Sequence, residues 1–380
     1  MNLPEHTWIE TADRLPALAD AIAAAPWTAL DTEANSMFVY REQVCLLQLN
    51  VAGALYVVDT LAIARAGGSI AALKQALEDP ARTIWLHGGE YDVGTLKRDY
   101  GITLTGVWDS QQAASLLGWE RTGYGSVVEK LCGVALDKAY THYDWGTRPI
   151  EHGALHYAID DVVYLPWVCE ALRAEVKAAD LEDEVAIANL AVEATGWSGG
   201  FDPAGVWKIK GIREVPRHHL PLLFALYLWR DGLAREANQP PGRLLNNELM
   251  LALVRNAPTN FQLLKKLGLR GWFLSAHGEP LLDAIKAALS NPPTMPERPR
   301  QREVLPEEEL RETRLKDWRR SEADNRTKAE GRPVPLQVVL PAKALEYLKQ
   351  HGGNELSVVP QLGTKRSTRY GAKLQELCRV

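Results

Sequence analysis

The chain has only four cysteines, four methionines and five phenylalanines in 380 residues. Cys45, Cys132, Cys169 and Cys378 lie far apart and lack metal-ligand spacing. That excludes a disulfide-stapled mini-domain or a zinc ribbon, so the thiols are expected to stay reduced, with Cys45 and Cys169 in core segments. No apolar run approaches the ~18 residues of a membrane-spanning helix. The start, Met1 to His6, has neither a basic nor an apolar stretch, so no secretory leader and a cytoplasmic location are expected. No G-x-G-x-x-G follows the first β/α pattern, and Gly88-Gly89 is no substitute, which argues against a dinucleotide-binding fold.

What is present is ordinary core material: 46% hydrophobic, 24% charged and 8% aromatic residues. This composition excludes a disordered or fibrous chain. The length is compatible with two to three domains. The net charge of −5 conceals an asymmetry: residues 1–200 carry −15 and residues 201–380 carry +10. The front half therefore has charge suited to cations, and the back half charge suited to polyanions.

The front half alternates strand and helix patterns. A helix from Leu18 to Ala25 is stopped by Pro26, and a strand from Trp27 runs into Asp31. Val44–Leu49 and Leu55–Val58 read as a hairpin, and Thr83–Leu86 as another strand. Helices are expected over Ile70–Glu78, Glu90–Asp99, Asp109–Leu117 and Ser126–Leu131, with one long helical stretch from Gly153 towards Ala178. The order predicts an α/β fold with a mixed sheet and helices on both faces. Gly196-Trp197-Ser198-Gly199-Gly200 and the proline-rich stretch 291–299 read as linkers around two all-helical regions. These regions share a weak repeat. Trp229-Arg230 precedes Gly242-Arg243 by the same interval that separates Trp318-Arg319 from Gly331-Arg332.

Three acidic motifs carry the chemistry. In Asp31-Thr32-Glu33, strand alternation puts both carboxylates on one face. A divalent cation relieves their repulsion, although an exposed strand end would also explain them. Asp92 sits in the first turn of a helix, where an acid is equally suited to the helix dipole. Tyr157 and Asp161 are four apart and share a helix face, with Asp160 turned towards solvent; a simple Tyr–Asp hydrogen bond is the plainer alternative. Together, four acids on one strand end and two helices could hold two cations of the kind that drive phosphodiester hydrolysis.

These motifs resemble the ribonuclease D family of the DEDD exonuclease superfamily. Exo I is Leu30-Asp31-Thr32-Glu33, Exo II is His87-Gly88-Gly89-Glu90-Tyr91-Asp92, and Exo III is Tyr157-Ala158-Ile159-Asp160-Asp161-Val162. Supporting stretches are Val44–Leu49, Trp108-Asp109-Ser110, Leu136-Asp137-Lys138 and Asp144-Trp145. The back half resembles two HRDC domains. The resemblance implies a ribonuclease H-like exonuclease domain over 1–200, a linker over 201–215, HRDC domains at 216–291 and 309–380, and a proline-rich linker over 292–308. It further implies a 3′-5′ exoribonuclease using two divalent ions, Mg²⁺ or Mn²⁺. Asp31, Glu33, Asp92 and Asp161 would bind the metals, and Tyr157 would orient the attacking water. Exo III also fits the superfamily's other pattern, His-x-Ala-x-x-Asp, through His156. The surrounding Asp161-Val162 and Tyr164-Leu165-Pro166 favour the tyrosine.

The expected substrate is RNA, above all tRNA precursors with 3′ trailers, with no membrane involved. Met37, Phe38, His87, Lys138, Trp145 and His156 are the expected substrate-groove residues. Arg230, Arg235, Arg243, Arg319, Arg320, Arg326, Arg332, Lys365, Arg366 and Arg369 are candidates to neutralise phosphates. Two alternatives remain at this stage. A DNA-directed exonuclease of the same superfamily would carry the same acids, and a silent RNA-binding scaffold should lack one of them.

Overall fold

The structure is a computed structural model that describes residues 3–197, 199–299 and 302–379. Ser198 of the first linker, together with Met1 and Asn2, lies outside the described residues. Contacts divide the chain into two compact units. One comprises Met1–Ala34, Val44–Trp197 and Glu303–Val380, the other Asn35–Gln43 and Ser198–Arg302.

The first unit is built on six strands: β1 (Thr7–Ile9), β2 (Trp27–Ala34), β3 (Val44–Val51), β4 (Ala54–Asp59), β5 (Thr83–Leu86) and β6 (Val107–Asp109). Their order is β1-β4-β3-β2-β5-β6. The β3–β4 pair is the expected hairpin, and β3 is antiparallel to β2. The β5 strand runs parallel to β2, and β6 parallel to β5. Alternation decides which side each β2 residue faces. Leu30 packs with Leu47 and Leu49 of β3 and with Leu18 and Ile22 of α1 (Leu15–Ala24). Ala29, Asp31 and Glu33 occupy the opposite face, across from Asn50, Gln48 and Leu46.

Helices cover both faces: α2 (Thr60–Arg65), α3 (Glu90–Tyr100), α4 (Ser110–Leu116), α5 (Tyr124–Cys132), α6 (His152–Val163), α7 (Leu165–Ala178) and α8 (Glu182–Glu193). Val93 and Leu96 of α3 join the Leu30 side. On the other side, α6 is fixed by Asn50, whose amide nitrogen donates to the Val162 carbonyl at 3.1 Å. The long helix expected over 153–178 is broken at Tyr164. Pro166 has no N–H to give the Val162 carbonyl and its ring crowds that oxygen, so the helical ladder is interrupted and a second helix begins at Leu165. The expected helix at Ile70 is a 3₁₀ turn followed by one short α-turn.

Three helices from the chain's last 80 residues complete this unit: Pro306–Glu330, Ala342–His351 and Gly363–Cys378. Their core, with Val338, Leu340 and Leu374, is continuous with Val176, Leu181 and Val185 beneath the sheet. Gln337 donates to Ser115 Oγ at 2.7 Å, and Lys365 pairs with Asp180 at 2.8 Å and with Glu184.

Several basic residues expected to meet phosphates are thereby committed to structure. Arg366 is buried and donates to the carbonyls of Val338, Gln337 and Leu362. Arg319 donates to the Leu336 carbonyl, Arg326 pairs with Glu330 and Tyr370, and Arg332 reaches the Ala179 carbonyl and Glu330. Guanidinium groups serve here as multivalent donors to backbone carbonyls. This replaces the reading of Lys365, Arg366, Arg319, Arg326 and Arg332 as a phosphate surface.

The second unit packs the helices Leu220–Ala237, Asn247–Asn256 and Gly271–Ser290 around Leu223, Leu226, Met250, Leu253, Leu281 and Ile285. Arg230 is buried and bonds the Leu245 carbonyl and Asn247, while Arg235 pairs with Asp231. The segment Asn35–Gln43 packs within this unit. Tyr40 donates to Asp231 at 2.7 Å, and the Arg243 guanidinium lies 4.7 Å from the Phe38 ring. The weak repeat holds at its tryptophans, since Trp229 meets Phe273 and Trp318 meets Tyr370 edge-on. It fails at its Gly-Arg pairs: Gly242 is inside a short helix, whereas Gly331 is a left-handed helix cap.

Candidate active site

The acids converge at the end of β2. Asp31 and Glu33 project from one face of the strand, and α6 crosses that face carrying Asp161. One carboxylate oxygen from each of Asp31, Glu33 and Asp161 lies within 4.8 Å of the other two. All three are partly buried.

Asp92 arrives from the other side. The β5 strand ends at Leu86, and the chain reverses through Gly88 in the left-handed region (φ 67°). A Cβ on Gly89 would meet the Leu86 side chain at 2.5 Å, so only glycine fits this close approach. Asp109 locks the turn by accepting from Gly88 N at 3.0 Å and Gly89 N at 2.8 Å, while also capping α4. Asp92 therefore falls in the first turn of α3, beside Thr32. Its Oδ1 accepts from Thr32 N at 3.0 Å and from Thr32 Oγ1. Thr32 points to the face away from Asp31, which is why Asp92 flanks the trio rather than entering it.

The electrostatics are those of anions held together without a counter-charge. Burial pushes Asp31 well above the usual carboxylate range, and repulsion from Asp92, Asp161 and Glu33 adds to it. Glu33 is raised by burial and by Asp161 and Asp92. Asp161 is pushed up to about 8, by burial and then by Asp160 and Asp92. Asp92 reaches only about 6, because the Thr32 hydrogen bonds favour its charged form against burial. This donor set of hard oxygens with uncompensated negative charge fits divalent cations.

Tyr157 lies one turn before Asp161 on α6. Burial and the charges of Asp161, Glu33 and Asp31 raise its phenol above the ordinary value. His156 turns away and pairs with Asp160 at 3.1 Å. Asp160 is thus a partly buried partner of His156 rather than an exposed acid. Trp167, three residues beyond the Tyr164 cap of α6, is 72% exposed.

The remaining groove candidates are distributed unevenly. Trp145 is 3% exposed and tucked beneath Tyr143 and Tyr157, with ring centroids 5.0 and 6.2 Å away. It is a buttress for Tyr157, which corrects the reading of it as a groove residue. His87 turns towards Ser110 (2.8 Å) and the Tyr124 ring, and burial lowers its pKa to about 4. Lys138 is exposed. Met37 is 55% exposed and, with Phe38, lies in the segment that packs with the second unit.

Sequence reasoning missed the residues that hold the site rather than form it. Asp109 was visible as a helix start and as part of Trp108-Asp109-Ser110, but its role in locking the Gly88-Gly89 turn was not, although an Asp before Ser-Gln-Gln is a capping signal. Arg148 makes a two-pronged pair with Asp59 at 2.6 and 2.8 Å and donates to the carbonyls of Cys45, Trp145 and Thr147. It ties the loop carrying Trp145 to β3 and β4, and no local pattern announces it.

Comparison with known proteins agrees with this geometry. A family model described as a 3′-5′ exonuclease matches residues 6–177, and an HRDC domain model matches residues 219–285. The Ribonuclease D of Acidiphilium cryptum is 31% identical over 303 residues, covering 79% of this chain and 76% of that protein. The chain belongs to the ribonuclease D family. The Ribonuclease D of Granulibacter bethesdensis is likewise 31% identical over 311 residues, covering 80% and 76%. The crystal structure of Escherichia coli RNase D shares the fold, with a TM-score of 0.69 at 24% identity over 98% of both chains. As a member of the family the chain is a metal-dependent 3′-5′ exoribonuclease. No helix among the described residues is long and apolar enough to cross a membrane.

Proposed function

We propose that the chain trims structured RNAs from their 3′ ends, with tRNA precursors bearing 3′ trailers as the substrate class. It would act by a two-cation hydrolysis that releases 5′-mononucleotides. The observation that carries the mechanism is the trio Asp31, Glu33 and Asp161, whose oxygens lie within 4.8 Å of one another and whose pKa values are raised. Such a trio is stable in its charged form only around cations. Asp31, Glu33 and Asp161 would hold one Mg²⁺ or Mn²⁺, with Asp31 shared and Asp92 holding the second. When bound, the ions supply charge neutralisation, a more acidic attacking water and stabilisation of the leaving 3′ oxygen.

Residues of the chain supply the rest. Tyr157, held protonated, can orient the attacking water by a hydrogen bond but cannot serve as its base. Thr32 fixes the Asp92 carboxylate through two hydrogen bonds, and Arg148 with Trp145 holds the Tyr157 side of the site. The substrate class draws on the relatives: the Escherichia coli protein is described as an exoribonuclease involved in structured RNA processing.

The test is hydrolysis of 3′-tailed tRNA precursor, unstructured RNA and DNA of the same sequence, with Mg²⁺, Mn²⁺ or EDTA, alongside Asp31→Asn. Expected are loss of hydrolysis in EDTA and in Asp31→Asn, and preference for the tailed RNA. Hydrolysis that survives both EDTA and Asp31→Asn sinks the mechanism, and equal rates on DNA sink the substrate class.

A further inference from the structure

One buried polar side chain beside the acids has no assigned partner. Gln48 of β3 is fully buried, and both of its amide atoms lack a hydrogen-bond partner. Its place in the sheet is informative. The register sets Gln48 directly opposite Asp31, so the two side chains share one face of the sheet, the face crossed by α6 with Asp161. Its neighbours on that face are accounted for. Leu46 packs against Ala158 and Trp145. Asn50 is committed to the Val162 carbonyl and to Gly53 N. A buried amide with nothing to bond is costly, and apolar Leu or Met would fill the same space between β3 and α6 without that cost.

We propose that Gln48 is a positioning residue for the hydrolytic centre: its amide nitrogen donates to the Asp31 carboxylate once cations are bound there, and fixes that carboxylate's orientation. The proposal rests on the assignment of Asp31 as a shared metal ligand. It follows a general arrangement of metal sites, in which a ligand's remaining lone pair is held by an outer hydrogen bond. Gln48 is suited to it because a neutral amide adds no charge to a site that already has four acids. The alternative donors, Lys or Arg, would compete with the cations.

The decisive comparison is Gln48→Met and Gln48→Glu against the unaltered chain, with Asp31→Asn as the reference for the underlying assignment. Measured are kcat and KM on 3′-tailed RNA at saturating Mn²⁺, Mn²⁺ affinity by calorimetry, and the thermal midpoint in EDTA. For Gln48→Met, kcat is expected to fall about 10–100-fold and Mn²⁺ affinity about tenfold, with KM moving less than twofold. The midpoint in EDTA does not fall, because an unpaired amide has been removed. Gln48→Glu keeps the shape but replaces the donor by an acceptor, and loses at least as much kcat. Unchanged kcat and Mn²⁺ affinity in Gln48→Met overturn the proposal. So does a loss accompanied by a lower midpoint in EDTA, which would make Gln48 a packing residue, and so does an active Gln48→Glu. If Asp31→Asn itself remains active, the metal-ligand assignment fails first, independently of Gln48.

Discussion

Replacing Arg148 by methionine isolates what the Asp59 pair contributes to the site. The pair is nearly enclosed, with side-chain exposures of 16% for Arg148 and 4% for Asp59. Methionine keeps much of the aliphatic stem but leaves Asp59 as a buried carboxylate without its cation, and it deprives the carbonyls of Cys45, Trp145 and Thr147 of a donor. Breaking one side of a buried pair costs about 3–5 kcal/mol. At roughly 2–4 °C per kcal/mol, the scale for a unit of about 250 residues, the thermal midpoint should drop by roughly 6–20 °C. The double variant Asp59→Asn/Arg148→Met should recover most of that loss. Asparagine can still accept from Ala62 N, as Asp59 does at 2.9 Å, and no charge is then left buried. The loop holding Trp145 would remain less anchored in both variants, so kcat should stay low even where stability returns. Thermal denaturation and steady-state hydrolysis of tailed RNA, measured on the single and double variants, read the two effects separately. A loss under about 1 kcal/mol in Arg148→Met, or a double variant less stable than the single, would refute the reasoning.

The pH dependence has a definite sign. Asp161 (about 8) and Asp92 (about 6) titrate higher in the folded chain than unfolded carboxylates near 4, so the metal-free fold binds more protons across this range. In EDTA its stability should therefore fall as pH rises from about 4 to 8, and Mn²⁺ or Asp161→Asn should flatten the slope; a metal-free midpoint that rises over that range contradicts it. Tyr157→Phe should lower kcat by about 10²–10³-fold while His156→Ala changes it only a few-fold, and the reverse pattern in single-turnover assays would reassign the water-orienting group. Arg366→Leu should cost about 2–5 kcal/mol, because the carbonyls of Val338, Gln337, Gln361 and Leu362 lose this donor, yet leave the RNA affinity of the folded protein within twofold. A large affinity loss in filter binding would restore Arg366 to a phosphate surface.

Local chemistry made much of the catalytic half readable. Alternation alone sets Asp31 and Glu33 on one face, Gly88-Gly89 marks the turn before Asp92, and the four-residue step from Tyr157 to Asp161 follows from helix geometry. Proline also carried information that the long-helix expectation overlooked, since Pro166 interrupts the helix just after Asp161. Charge composition, by contrast, said less about individual residues in the back half. A basic count cannot distinguish an arginine open to phosphate from one bonded to backbone carbonyls, and Arg366 and Arg319 are of the second kind.

Residue identity in sequence thus determined which groups could do chemistry: the four acids, the tyrosine and the glycines that let backbones approach. Tertiary structure alone decided which of them meet. It gathered Asp31, Glu33 and Asp161 within 4.8 Å, held Asp92 aside on Thr32, buried Trp145 and paired Gln48 with Asp31 across the sheet. These outcomes depend on strand register and helix crossing, which are set by burying apolar surface distributed over the whole chain, and no local run of residues encodes them.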